Sequence, residues 1–238
     1  MTNAISTLVG PRIRGHLKWI ASIRGADDCI YGIPYNARRV VKFDPVHKTL
    51  TEIGPDDCSD KWNCGVLAGN GCNYCLPSGT IPACGVLKID TINGTVEILD
   101  IELPETFEEE ELAGWSSGAL AIDGCIYFMP LYAIRILKLN PEDDTVTRVG
   151  DYFLGEEEAK FAVTIAANNG YLYGISRGNN HIVRFHPVHQ RMYWVRQDIP
   201  RGTFSACSNN GVLSRDGFIY ALNYDLQILK IDVECYLY

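Results

Sequence analysis

Two pairs of residues have the types and spacing to hold a metal ion: Cys72 and Cys75 in CNYC, and His186 and His189 in RFHPVHQ. A tetrahedral zinc site needs four convergent Cys or His ligands, usually as two turn-borne pairs. Cys72 and Cys75 instead bracket a short apolar strand, where residues three apart point to opposite faces. His186 occupies the place that Asp44 and Asp90 hold in similar segments, which points to turn capping, and His47 in DPVHK sits in a turn of the same kind. No metal and no cofactor is expected. Hydrolysis of a glycoside would need two carboxylates about 5 to 9.5 Å apart. The longest acidic run, Glu105 and Glu108 to Glu111, is loop-like, and any catalytic acid would have to come from the loops. No catalytic residue is therefore expected.

The elements that must position any such group are repeats. WIASIRGADDCIY, WNCGVLAGNGCNY, WSSGALAIDGCIY, FAVTIAANNGYLY and SNNGVLSRDGFIY begin at Trp19, Trp62, Trp115, Phe161 and Ser208, and each closes on a tyrosine 12 residues on (Tyr31, Tyr74, Tyr127, Tyr173, Tyr220). A second block follows each tyrosine: VVKFDP, VLKIDT, ILKLNP, IVRFHP and ILKIDV. A third, such as TLTEIG or TVTRVG, follows in the first four copies. The copies are spaced by 43, 53, 46 and 47 residues, the length of a propeller blade.

Each copy predicts four short strands, A to D. Strand A is small and apolar, a Gly-containing turn leads to strand B, and strands C and D alternate apolar with polar side chains. Such a unit cannot bury its faces alone, and radial packing both buries them and protects the sheet edges. The expected fold is all-β: one domain, a five-bladed β-propeller of four-stranded antiparallel blades. Blades are expected at about 16–54, 62–100, 115–150, 161–196 and 208–238. Copy five lacks its fourth strand, and ISTLVG at residues 5–10 matches the missing block. The ring is therefore expected to close by pairing of this N-terminal strand with the C-terminal blade.

The pattern G-x-L-x-x-(D/N)-G-x-I-Y-x-x-P followed by V-L-K-I-D-P resembles the repeat of kelch-like and NHL-like β-propeller proteins, especially poorly characterised protist propellers, over nearly the whole chain. The glycine doublet and trailing tryptophan of the kelch motif are missing. The resemblance implies the fold and carries over no catalytic residue.

In such a ring the D–A and B–C loops share one face, the top. There the sequence puts acidic D–A loops beside B–C loops that carry Arg38, Arg39, Arg135 and Arg177. Trp19, Trp62, Trp115 and Phe161 open strand A in four blades, and by symmetry they would form an aromatic collar at the channel mouth. The competing reading is that these rings wedge between blades as core. Ser208 breaks the symmetry, so the polar side of a pocket would carry Asn209 and Asn210. The net charge of -8 argues against a nucleic-acid partner, which needs clustered Lys and Arg. No apolar run has the length of a membrane helix, and nine cysteines without a tight framework suggest reduced thiols in the cytoplasm. The A strands hold no Asp, Glu or His. The expected function is a non-enzymatic scaffold that binds a protein or peptide partner through the top face. A lectin or small-molecule binder using the collar, with a carbohydrate partner, is the alternative, and a hydrolase or lactonase is third.

Overall fold

Short alternating segments separated by Asx-type turns fold each repeat into an antiparallel meander. The computed structural model of the chain describes residues 8, 13–14, 16–56, 62–77, 85–101, 114–153, 160–176, 181–195, 207–223 and 228–233. Sheet 1 comprises β1 (Trp19–Arg24), β2 (Ile30–Pro34), β3 (Val40–Asp44) and β4 (Thr49–Ile53). Sheet 2 comprises β5 (Trp62–Leu67), β6 (Cys72–Pro77), β7 (Val86–Asp90) and β8 (Thr95–Leu99). Sheet 3 has β9 (Trp115–Leu120), β10 (Ile126–Pro130), β11 (Ile136–Asn140) and β12 (Thr145–Val149). Sheet 4 has β13 (Phe161–Ala166), β14 (Leu172–Ser176), β15 (Ile182–His186) and β16 (Arg191–Trp194), and sheet 5 has β17 (Cys207–Leu213), β18 (Phe218–Asn223) and β19 (Ile228–Asp232). In every sheet the strands lie in chain order. The fifth sheet shows three strands among the described residues; the strand expected at 5–10 lies outside them, apart from Leu8.

The turns explain the repeat's polar residues. At the A–B turn, Asp27, Asn70, Asp123, Asn169 and Asp216 each accept the backbone N–H two residues on through Oδ1, at 3.0–3.2 Å. The following glycine takes a left-handed backbone, φ 80° at Gly124, which Asp28 adopts in sheet 1 at φ 64°. At the C–D turn, Asp44 and Asp90 cap two backbone N–H groups each. The His186 ring does the same work, its Nδ1 accepting from His189 N at 3.3 Å.

Consecutive sheets pack through their faces, and the inner strands lie side by side in the order β1, β5, β9, β13, β17. Four apolar cores sit between sheets 1–2, 2–3, 3–4 and 4–5. Each core takes the tyrosine face of one sheet and the opposite face of the next. Cys72 lies in the core between sheets 2 and 3, and Cys75 in that between sheets 1 and 2, so CNYC cannot converge on one ion.

A polar interlock joins neighbouring sheets at the end bearing the A–B and C–D turns. The Tyr74 hydroxyl donates to Asp144 Oδ1 in the next sheet's C–D turn at 2.7 Å, and Asn70 Nδ2 donates to Pro141 O at 2.9 Å. Tyr127 Oη lies 3.3 Å from Pro187 O, Asn169 Nδ2 2.7 Å from Val233 O, and Ala26 N 2.9 Å from Thr91 Oγ1. Thr91, Pro141, Pro187 and Val233 are accordingly buried, whereas Pro45, the equivalent residue of sheet 1, is exposed. The outer faces of the two end sheets are exposed as well: Ile20 and Ile30 on sheet 1, and Val212, Leu222 and Ile228 on sheet 5.

Candidate functional site

The aromatic residues that open strand A are held from within their own sheet. Trp19 Nε1 donates to Arg39 O at 3.1 Å, Trp115 Nε1 to Arg135 O at 2.9 Å, and Trp62 Nε1 to Gly85 O at 3.5 Å. Each bond ties strand A to the start of strand C across strand B, and the ring lies over strand B. In sheet 4 the space is made by Gly174, where an added Cβ would come 3.2 Å from the Phe161 ring. Trp62, Trp115 and Phe161 are buried in the cores between sheets 1–2, 2–3 and 3–4 respectively. Trp19 occupies the same place on sheet 1 and is half-buried.

The charged residues of the B–C turns lie at the opposite end from the interlock. Arg39 Nε stands 3.3 Å from Asp56 Oδ1 and Arg38 Nη1 3.9 Å from Asp56 Oδ2, so two guanidinium groups flank one exposed carboxylate. Arg135 Nε donates to Gly150 O at 3.1 Å, and its guanidinium lies 5.2 Å from the centre of the exposed Tyr152 ring. Lys160 Nζ donates to Tyr132 O at 3.1 Å, and Lys18 Nζ lies 5.8 Å from the centre of the Trp19 ring. Asp56, Lys18, Lys160 and Tyr152 were not singled out from the sequence, because each belongs to a strand-edge or loop position that the repeat does not preserve. Arg177 and residues 102–113 fall outside the described residues, as do the side chains of Asn209 and Asn210.

At the interlock end the repeated groups are tuned for structure. Tyr31 donates to Asp27 Oδ2 at 2.9 Å, and Lys42 Nζ lies 2.7 Å from the same oxygen. Burial, reinforced by the bond to Asp27, pushes the Tyr31 hydroxyl up to about 12. Burial would raise Asp27, but its bonds to Lys42 and Tyr31 outweigh that and hold the carboxyl below its usual value. Lys42 is raised above the ordinary lysine value by the same pair. These shifts lock the three groups in their ordinary charge states at neutral pH; a general acid or base would need a value moved toward the working pH. Burial likewise pushes the Cys64 thiol up to about 12. Among the described residues no three His, Cys, Asp or Glu are grouped to hold a metal, and no helix is long and apolar enough to cross a membrane.

Comparison with solved structures bears on this arrangement. Virginiamycin B lyase from Staphylococcus aureus aligns with 90% of this chain and 69% of its own, at 11% identity and TM-score 0.65. A streptogramin B lyase aligns with 91% of this chain and 69% of its own, at 15% identity and TM-score 0.64. The sheet arrangement is β-propeller-like. The extracellular domain of a protein described as a one-component system from B. thetaiotaomicron also matches, over 93% of this chain and 28% of that one, at 12% identity and TM-score 0.67. No family model and no curated protein sequence matches the chain. The likeness is one of fold, and it corrects the expected function. Enzymes stand among the structures that share this sheet arrangement, so the architecture does not imply a non-enzymatic scaffold. In the lyases the fold supports chemistry, and what decides for this chain is its own side chains.

Proposed function

We propose that the five sheets close into a five-bladed ring of the kelch-like or NHL-like kind, and that its B–C end holds a small anionic ligand. Closure is supported by the two end faces, which are complementary halves of the packing repeated between all other sheets. In the closed ring the Val212, Leu222 and Ile228 face of sheet 5 meets the Ile20 and Ile30 face of sheet 1, and the Tyr220 hydroxyl reaches the carbonyl of Pro45. Ile228→Asp tests this. If the face is covered, the charge is expected to cost about 3 kcal/mol or more, as an unpaired charge in a core does, whereas at an open position the change stays within roughly 0.5 kcal/mol. Urea unfolding distinguishes the two, and a neutral result means the face is open.

The observation that carries the ligand reading is a group of cations at the B–C end. In a chain of net charge -8, Lys18, Arg38, Arg39, Arg135 and Lys160 stand at one end of the sheets. Arginine forks there are suited to a carboxylate or phosphate. The lyases of this fold act on a bound small molecule, and any comparable step here would draw on Asp56 between its two arginines. A thermal-shift panel of carboxylates and sugar phosphates is expected to yield stabilising anions. Arg39→Ala and Arg135→Ala are each expected to weaken such an anion about tenfold or more, the cost of one charge-assisted contact. Stabilisation by neutral ligands alone, or unchanged anion affinity in both arginine variants, would sink this reading.

A further inference from the structure

The repeat supplies its own control: residues kept in most copies answer to packing, and linked departures in one copy point to something else. On the tyrosine face of sheet 4, five departures fall together. Where sheets 1, 2 and 3 carry Cys29, Cys72 and Cys125, sheet 4 has Tyr171 and sheet 5 has Phe218, so the aromatic here is shared with sheet 5 and the other four departures are not found in sheets 1, 2 and 3. Strand pairing puts Arg184 opposite Tyr193, where the other sheets pair Lys42 with Thr51, Lys88 with Glu97 and Lys138 with Thr147. It also puts His186 opposite Arg191, in place of Asp44 with Thr49, Asp90 with Thr95 and Asn140 with Thr145. A surface of mixed charge has become cationic and aromatic, and these five residues include no carboxylate.

The side chains form one continuous stack. The Arg184 guanidinium lies 5.0 Å from the centre of the Tyr171 ring and 5.3 Å from that of Tyr193. His186 meets Tyr171 edge-on at 4.9 Å, and the His189 ring lies 4.3 Å from His186. Tyr193 is 40% exposed, and Arg191 and His189 are exposed as well. Packing alone does not account for Tyr193, because Thr51, Glu97 and Thr147 show the position to be solvent-facing in the other four-stranded sheets. An aromatic ring there, stiffened by a guanidinium against its face, is a flat apolar platform bordered by cations.

We propose that this face of sheet 4 is a binding site for an acidic saccharide. The exposed ring of Tyr193, held against the Arg184 guanidinium, suits the C–H face of a pyranose, and the exposed Arg191 suits the ligand's carboxylate or sulfate. The two anions share one recognition chemistry, so the experiment separates their sources. An elongated nucleic acid is disfavoured by the net charge of -8. The site lies on the outer part of one sheet and is independent of the B–C end.

Isothermal titration of the whole chain with an oligogalacturonide and with a heparin-derived oligosaccharide tests the proposal, beside a neutral maltooligosaccharide and poly-glutamate. Binding of either acidic saccharide is expected, with neither control binding comparably; which one binds identifies the anion. Tyr193→Thr and Arg184→Lys install the residues of sheets 1 and 3, so the fold tolerates them, and each is expected to weaken binding about tenfold or more. Trp194→Ala is expected to leave it unchanged, because adjacent residues of a strand point to opposite faces. The proposal is overturned if neither saccharide binds, if poly-glutamate binds equally well, or if binding survives both sheet 4 substitutions.

Discussion

Trp62→Ala is expected to destabilise the protein by about 3–5 kcal/mol, the usual cost of emptying a tryptophan-sized space in a core. The ring has no exposed surface and belongs to the core between sheets 1 and 2. Its loss removes the wedge between two sheets and also the indole bond that ties β5 to the start of β7. Trp19→Ala is the internal comparison. The same residue at the same repeat position is half-buried on the outer face of sheet 1, the face that the proposed closure covers, so in the closed ring its loss is expected to cost nearly as much. Urea unfolding of the two variants measures both. A ring serving as a ligand platform would behave in the reverse way, with little effect on unfolding and a large effect on binding. Near-equal costs at Trp19 and Trp62 mean that the face of sheet 1 is covered in solution, as closure requires, whereas a cost at Trp19 less than half as large means that the face is open. The difference between the two variants therefore reports on closure independently of Ile228.

The sheets were legible because tandem copies align. Tyrosines at a fixed distance from Trp19, Trp62, Trp115, Phe161 and Ser208 set the boundaries of strands A and B in all five sheets. The direction of the aromatic rings was harder to read, because the strands slip where those rings lie. Pairing is irregular between Trp19 and Ala21, between Trp62 and Cys64 and between Phe161 and Val163. A bulge there breaks the period of two and re-aims the side chain. Aligning copies also hides contacts between copies. Asn70 and Asn169, four residues before their tyrosines, were visible in the sequence, but their bonds to the next sheet's turn exist only once the sheets are stacked. The cationic stack of sheet 4 is hidden for a different reason: His186 stands out in the sequence as a departure from Asp44 and Asp90, but its contact with Tyr171 and that of Arg184 with Tyr193 arise only when strands β14, β15 and β16 pair.

Asn73→Leu is expected to stabilise the protein by about 1–3 kcal/mol, the cost of burying an amide without hydrogen bonds. Asn73 has no exposed surface, and neither its Oδ1 nor its Nδ2 has a hydrogen-bond partner among the described residues. It stands between Leu67 and Ile89 on the face of sheet 2 that packs on sheet 1, at a position filled by Ile30, Ile126, Leu172 and Ile219 elsewhere. Leucine has the branching of asparagine at Cγ and is already present in sheet 4, so strain from overpacking is expected to be smaller than with isoleucine. Thermal unfolding should rise by roughly 2–4 °C for each kcal/mol gained. A fall in stability would mean that the amide is hydrogen-bonded in solution. Asn73 and Tyr193 are both departures from the repeat, yet burial separates their meanings. A sealed side chain cannot meet a ligand, so Asn73→Leu is expected to leave saccharide affinity unchanged while stability rises, and Tyr193→Thr to do the reverse.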